Sequence, residues 1–243
     1  MSKLLKVGVT GVLTALVLEA LTPAASALDP RRQGLTPSER LQALVDRVRL
    51  EQSKLETLEA EFTQLKQSSM LLEPSVSKGV FSYAAPDRVR WEYKTPNPIS
   101  MLIFGEEMTT WYRDIGQAEK VRVGRHSQRV LQLLGAGSSV SELLEYFSVS
   151  LTLPKDRSRP YMLELKPRFR RVAKRLRGMS LWIDPQLYLP IRLRYLEPDG
   201  DVTEYSFSNL RINGELPEDR FRLELPRSVK VKFVDFDRRA GLL

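Results

Sequence analysis

The chain has 243 residues, of which 42% are hydrophobic and 28% charged, enough for one sizeable domain with its own core. Its formal charge is +8, with a single histidine and no cysteine, which excludes a disulfide framework, a thiolate metal site and a lipidated amino-terminal cysteine. Lys3 and Lys6 precede an apolar run from Val7 to Leu18 that stops at Glu19 and Pro23, and Ala25-Ser26-Ala27 follows. That run is too short to span a bilayer and has the layout of a secretory signal, so residues 1–27 are expected to be removed on export. For a basic exported chain, nucleic acid is not expected as a partner; an anionic lipid surface or an acidic protein is.

Residues 28–37 read as a flexible lead-in. Thr36 or Ser38 then caps a helix whose stripe of Leu41, Leu44, Val45, Val48, Leu55 and Leu58 predicts an end near residue 58. From Phe62 the period changes to two. Short β-rich segments follow one another between Pro, Gly and Asn-Pro breaks: EFTQLKQ, GVFSYAAP, DRVRWEY, ISMLIF, MTTWYRD and EKVRV. Residues 127–147 interrupt them with two short helical patterns parted at Gly135-Ala136-Gly137, the second opened by a Ser139–Glu142 capping box. Strands resume at FSVSLTL and YMLELKP, then comes the basic run RFRRVAKRLRG, then MSLWID and a hairpin turning at Asp199-Gly200; RFRLELP and VKVKFVD close the chain. The pattern predicts a single domain over 38–236 with a tail over 237–243: mainly β, a strongly curved antiparallel sheet of about eleven strands, covered by the N-terminal helix and the short helical insert.

Catalytic signals are weak. His126 stands among Gly124, Arg125 and Ser127 without a nucleophile elbow, so neither a hydrolase triad nor a metal centre is expected, and no cofactor. The basic run Arg168–Arg177 reads either as a patch for anionic headgroups or an acidic partner, or as a solvated helical turn with Val172 and Leu176 facing inward. Alternation collects Phe81 and Tyr83; Val89, Trp91 and Tyr93; Met101 and Ile103; Met179, Leu181 and Ile183; Ile191, Leu193 and Tyr195; and Tyr205 and Phe207 on one surface. The intervening Arg, Glu, Ser and Thr face solvent in this reading. Composition alone leaves open whether that apolar surface is a filled core or a cavity.

The order of elements and several short motifs resemble the LolA family of periplasmic lipoprotein carriers. The resemblance rests on the signal without a lipidation cysteine, the N-terminal helix, Phe62-Thr63-Gln64, Gly79-Val80-Phe81, Pro86, Val89–Tyr93 with Pro96, ISMLIFGEEMTTWY, MSLWIDPQLYLPIRLRY and FRLELPRSVKV. It implies a half-open β-barrel whose apolar cavity, lined by the alternating residues from Phe81 to Phe207 collected above on one surface, takes the acyl chains of a lipoprotein. It further implies a monomer in the periplasm that receives cargo from an inner-membrane ABC transporter complex and passes it to an outer-membrane lipoprotein receptor. A related module that binds or senses another lipid or glycolipid is the alternative. Leu131, Leu134, Leu143 and Leu144 are expected on the lid, with Gly135 and Gly137 as its hinge. Two positions depart from the family pattern: Ala85 stands where a basic residue is common, and Gly105-Glu106 replaces an Asp-Gly turn.

Overall fold

The computed structural model describes residues 29–68, 70, 72–122 and 144–235. The Leu131, Leu134, Leu143, Gly135, Gly137 and His126 assignments lie outside them, as do the expected signal segment and the Ser139–Glu142 box.

Helix α1 spans Pro37–Ser53 and begins with a capping box in which Thr36 and Glu39 bond reciprocally, with Pro37 at its first position. It ends a turn earlier than its apolar stripe suggests. The Asn213 side chain accepts from Glu56 N at 2.8 Å and donates to Lys54 O at 2.9 Å, drawing the chain out of the helix. Leu55 therefore lies in the turn and Leu58 on the first strand. The lead-in residues before α1 dock on the sheet: Pro30 is buried, and Arg31 donates to Pro154 O and lies over the Tyr161 ring.

Twelve strands among the described residues form one sheet: β1 (Thr57–Gln67), β2 (Ser75–Ala84), β3 (Arg88–Thr95), β4 (Ile99–Phe104), β5 (Glu107–Tyr112), β6 (Gln117–Arg122), β7 (Phe147–Thr152), β8 (Tyr161–Pro167), β9 (Gly178–Ile183), β10 (Pro190–Leu196), β11 (Val202–Ile212) and β12 (Lys230–Asp235). Their order is β12-β6-β5-β4-β3-β2-β1-β11-β10-β9-β8-β7. Among the described residues the sheet is not closed: its two edge strands, β12 and β7, pair on one side only. It is a half-open barrel with α1 on its inner face.

Two local expectations are corrected. β12 pairs with β6 in parallel, the one parallel pair in the sheet. RFRLELP is not a strand: residues 218–221 form a 3-10 turn, and residues 222–229 follow without pairing in the sheet. The reason is topological. β11 lies next to β1, whereas β12 lies beyond β6, so residues 213–229 must cross the sheet rather than join it. They cross on the outer face, where Arg90 Nη1 donates to both Arg220 O and Arg222 O at 2.9 Å.

The inner face holds two apolar clusters. In the first, Leu44, Val45 and Val48 of α1 pack on a cross-strand row made by Leu163, Leu181 and Leu193, with Leu165, Met179, Ile183 and Tyr161 beside it. The second gathers Leu55, Leu58, Phe62, Phe81, Tyr83, Val89, Trp91, Ile103 and Leu189. The basic run forms the four-residue helix α2 (Arg170–Ala173), and Val172 and Leu176 pack against the first cluster.

Candidate functional site: the aromatic inner face

The second cluster is built from cross-strand rows. Ala60, Phe81, Trp91 and Met101 lie opposite one another across β1 to β4, and Phe62, Gly79 and Tyr93 form the adjacent row across β1 to β3. β11 adds Phe207 opposite Phe62 and Tyr205 opposite Gln64. The rings meet edge to face or tilted: Phe62 lies 4.9 Å edge to face from both Trp91 and Tyr93, Trp91 is 5.3 Å edge to face from Tyr205, and Phe81 is tilted 4.9 Å from Trp91.

Gly79 makes this geometry possible. A Cβ there would stand 2.1 Å from Glu92 O and 2.7 Å from the Phe62 ring, so the ring occupies the space that a side chain would take. The register also shifts between Lys78 and Gly79, a bulge of the kind that sharpens sheet curvature. Together these bring β3 and β11 side chains into contact although two strands separate them. Neighbouring strands run about 4.8 Å apart, so on a flat sheet those side chains would stand roughly 14 Å from each other. Here Tyr93 Oη and Tyr205 Oη are 3.4 Å apart.

Burial raises the phenol pKa of Tyr93, Tyr195 and Tyr205, because a phenolate would be stranded among apolar side chains. All three are neutral O–H groups throughout the physiological range. Tyr195 Oη is buried without a hydrogen-bond partner among the described residues.

The expected lining residues divide between the two clusters. Phe81, Tyr83, Val89, Trp91 and Ile103 are buried in the second, with Tyr93, Met101, Tyr205 and Phe207 half-buried around them. Met179, Leu181, Ile183 and Leu193 are buried in the first, beneath α1, with Tyr195 at its margin. Ile191 joins neither, because a register shift between Pro190 and Arg192 takes it out of the row. Leu144 packs on the helix-covered cluster. Phe62 was legible as part of a motif but not as a site residue. Its alternation with Ala60 and Leu58 is the signal that places it at the centre of the rings.

The outer face departs further from expectation. Glu59, Ser82 and Ser100, which alternation assigns to solvent, are buried. Glu59 pairs with Arg211 and with Arg220, the latter at 3.0 Å. Glu92 pairs with Arg90 at 2.7 Å and Arg113 at 2.9 Å, and accepts from Ser100 Oγ. Arg88 lies over the Phe221 ring. The crossing segment thus closes over an ion-pair layer and leaves a polar cleft of about 600 Å³ lined by Glu59, Glu61, Glu92, Lys94, Arg211 and Arg220. Among the described residues, no group of three or more His, Asp or Glu side chains could hold a metal ion, and no helix is long and apolar enough to cross a membrane.

A family model described as "Outer membrane lipoprotein carrier protein LolA" matches residues 53–224. The chain belongs to the LolA family. That is a family of carriers rather than enzymes. Two similar proteins bear the name outer-membrane lipoprotein carrier protein. The one from Bordetella avium is 25% identical over 226 residues, spanning 90% of this chain and 95% of its own length. The one from Halorhodospira halophila is 28% identical over 205 residues, spanning 81% and 87%. Among solved structures, a LolA superfamily protein from Nitrosomonas europaea superimposes with a TM-score of 0.39 at 10% identity, over 75% of this chain and 97% of its own. The matched span takes in β1 to β11 and the 3-10 turn, so the strands of both faces of this LolA-family chain lie within it, whereas α1 precedes it but for Ser53.

Proposed function

We propose that the protein is a periplasmic carrier that holds the acyl chains of lipoproteins against its aromatic inner face and ferries them from the inner to the outer membrane. The observation that carries this is the unequal cover of the two clusters. α1 contributes three buried side chains to the first cluster, whereas no α1 residue belongs to the aromatic one. Aromatic surface gives large contact area without demanding one cargo shape.

Reversibility follows from the same packing. Burying an acyl chain gains about 0.8 kcal/mol per methylene, so several chains in an empty hollow would never leave. Here the rings already satisfy one another, and a guest must displace those contacts, which lowers the net gain of loading. The exchange partners in this reading are an inner-membrane ABC transporter complex and an outer-membrane receptor, the protein itself working as a monomer.

The test is copurification. Protein isolated from a native envelope is expected to carry an acylated protein identifiable by mass spectrometry, and Phe207→Glu, at the half-buried rim of the rings, is expected to lose it while remaining folded. Wild-type protein that carries no acylated polypeptide would sink the reading; a bound lipid without protein would redirect it to a lipid or glycolipid module.

A further inference from the structure

Within the aromatic face lies a polar feature that hydrocarbon binding does not use. Tyr93 on β3, Tyr205 on β11 and Tyr195 on β10 converge where the two apolar clusters meet: Tyr93 and Tyr205 belong to the margin of one, Tyr195 to the margin of the other. The Tyr195 and Tyr205 rings are 6.4 Å apart and nearly perpendicular, and Tyr93 and Tyr205 hydroxyls face each other at 3.4 Å.

Hydrogen counting gives the consequence. Each neutral phenol has one O–H hydrogen to donate. Whichever of Tyr93 and Tyr205 is the donor, that contact uses one. The hydroxyl of Tyr195 has no partner among the described residues although its oxygen is buried. One hydrogen of the Tyr93–Tyr205 pair and the hydrogen of Tyr195 are left to donate, with no carboxylate or carbonyl of the described residues bonded to them. A buried donor left unmatched, as the Tyr195 hydroxyl is among the described residues, is costly and rare in folded proteins. Burial keeps all three groups protonated, so they present donors and carry no charge.

We infer that Tyr93, Tyr195 and Tyr205 form a carbonyl-reading site inside the apolar face, which donates to the ester carbonyl oxygens where acyl chains join a glycerol-type headgroup. The inference rests on the carrier reading and adds to it a registration point: the chains lie on the rings, and the phenols fix how deep the linkage sits. A neutral donor set suits an uncharged ester. It does not suit a fatty-acid carboxylate, whose charge would be buried without a cation, since among the described residues the Tyr93 and Tyr205 hydroxyls meet each other and the Tyr195 hydroxyl meets no Arg or Lys.

Competition against a fluorescent alkyl probe on the purified full chain tests this. 1,2-Dioleoylglycerol is expected to bind about tenfold tighter than its 1,2-dioleyl ether counterpart, which lacks the carbonyls. Tyr195→Phe and Tyr93→Phe are expected to erase that preference, so that ester and ether bind alike. Tyr195→Phe is also expected to melt at or above the wild-type temperature, since it deletes an unmatched buried hydroxyl. Equal binding of ester and ether by wild type, a preference that survives in the double variant, a lowered melting temperature for Tyr195→Phe, or oleic acid outcompeting methyl oleate would each overturn the site while leaving the carrier reading intact. If neither glycerol lipid displaces the probe, the carrier reading falls with it.

Discussion

At the scale of single residues, one hydrogen atom's worth of space at position 79 decides the shape of the inner face. Gly79→Ala would place a methyl group against Glu92 O and the Phe62 ring, both at separations no carbon tolerates. The backbone oxygen is fixed in the β2–β3 ladder, so the strand must shift or the ring must leave. Overpacking of this kind costs about 1–3 kcal/mol. The expected outcome is a fall of that size in unfolding free energy by urea titration, with loss of the near-ultraviolet signal of Trp91. Unchanged stability would mean that the strands are not held this tightly. Alternation made Phe81, Trp91 and Tyr93 legible as one face, because period two is a property of the extended chain. It could not show that Glu59 and Ser100 are covered as well. A strand whose outer side meets water and one whose outer side meets an ion-pair layer share the same alternating pattern, and Arg211 and Arg220, the partners that cover Glu59, lie more than a hundred positions away.

Elements repeat that lesson at larger scale. The helix that begins at Thr36 announces itself through a local capping box, and the Asp199-Gly200 turn through Gly200 at φ +96° and the Glu197–Asp201 bond that closes it. Its end at Ser53 was not legible, since Asn213 acts from the far end of the domain and leucines three apart suit a helix and a turn-plus-strand alike. The crossing segment defeats the pattern for the same reason: RFRLELP alternates as a strand would, but pairs with no strand among the described residues. What holds it is a set of bonds from the sheet to its backbone, chiefly those of Arg90. Arg90→Met retains the stem and removes the guanidinium, leaving Arg220 O and Arg222 O without that donor and Glu92 without one cation. Bonds to charged groups contribute about 1.5–3 kcal/mol each in part-buried settings. Global stability is expected to drop by roughly that amount for the set, since water reaches the vacated edge, while amide exchange in 218–225 and β12 speeds more than in β8 or β9. Uniform acceleration across the sheet would show that the segment is not a separate unit.

For the molecule as a whole, one continuous sheet carries two unlike halves. Under α1, leucines of β8, β9 and β10 stack in a row and meet Leu44, Val45 and Val48, which places aliphatic packing on both sides of the contact. In the aromatic half, the side chains meet mainly one another, and the outer cover is the crossing segment rather than a helix. Burial removes amides from exchange in proportion to how cooperatively their cover opens, so the helix-covered half is expected to exchange only through global unfolding and the aromatic half through smaller openings. Loading sharpens the contrast. A guest among the rings of β1, β2, β3 and β11 replaces contacts there and adds cover, whereas the α1 half has no reason to respond. Hydrogen exchange followed by mass spectrometry, with and without dioleoylglycerol, is therefore expected to show protection gained in 58–65, 79–93 and 203–208 and none in 163–166 or 179–182. Protection gained beneath α1 instead would move the cargo to the other cluster. It would make the leucine row, not Phe62 and Trp91, the surface that greets hydrocarbon.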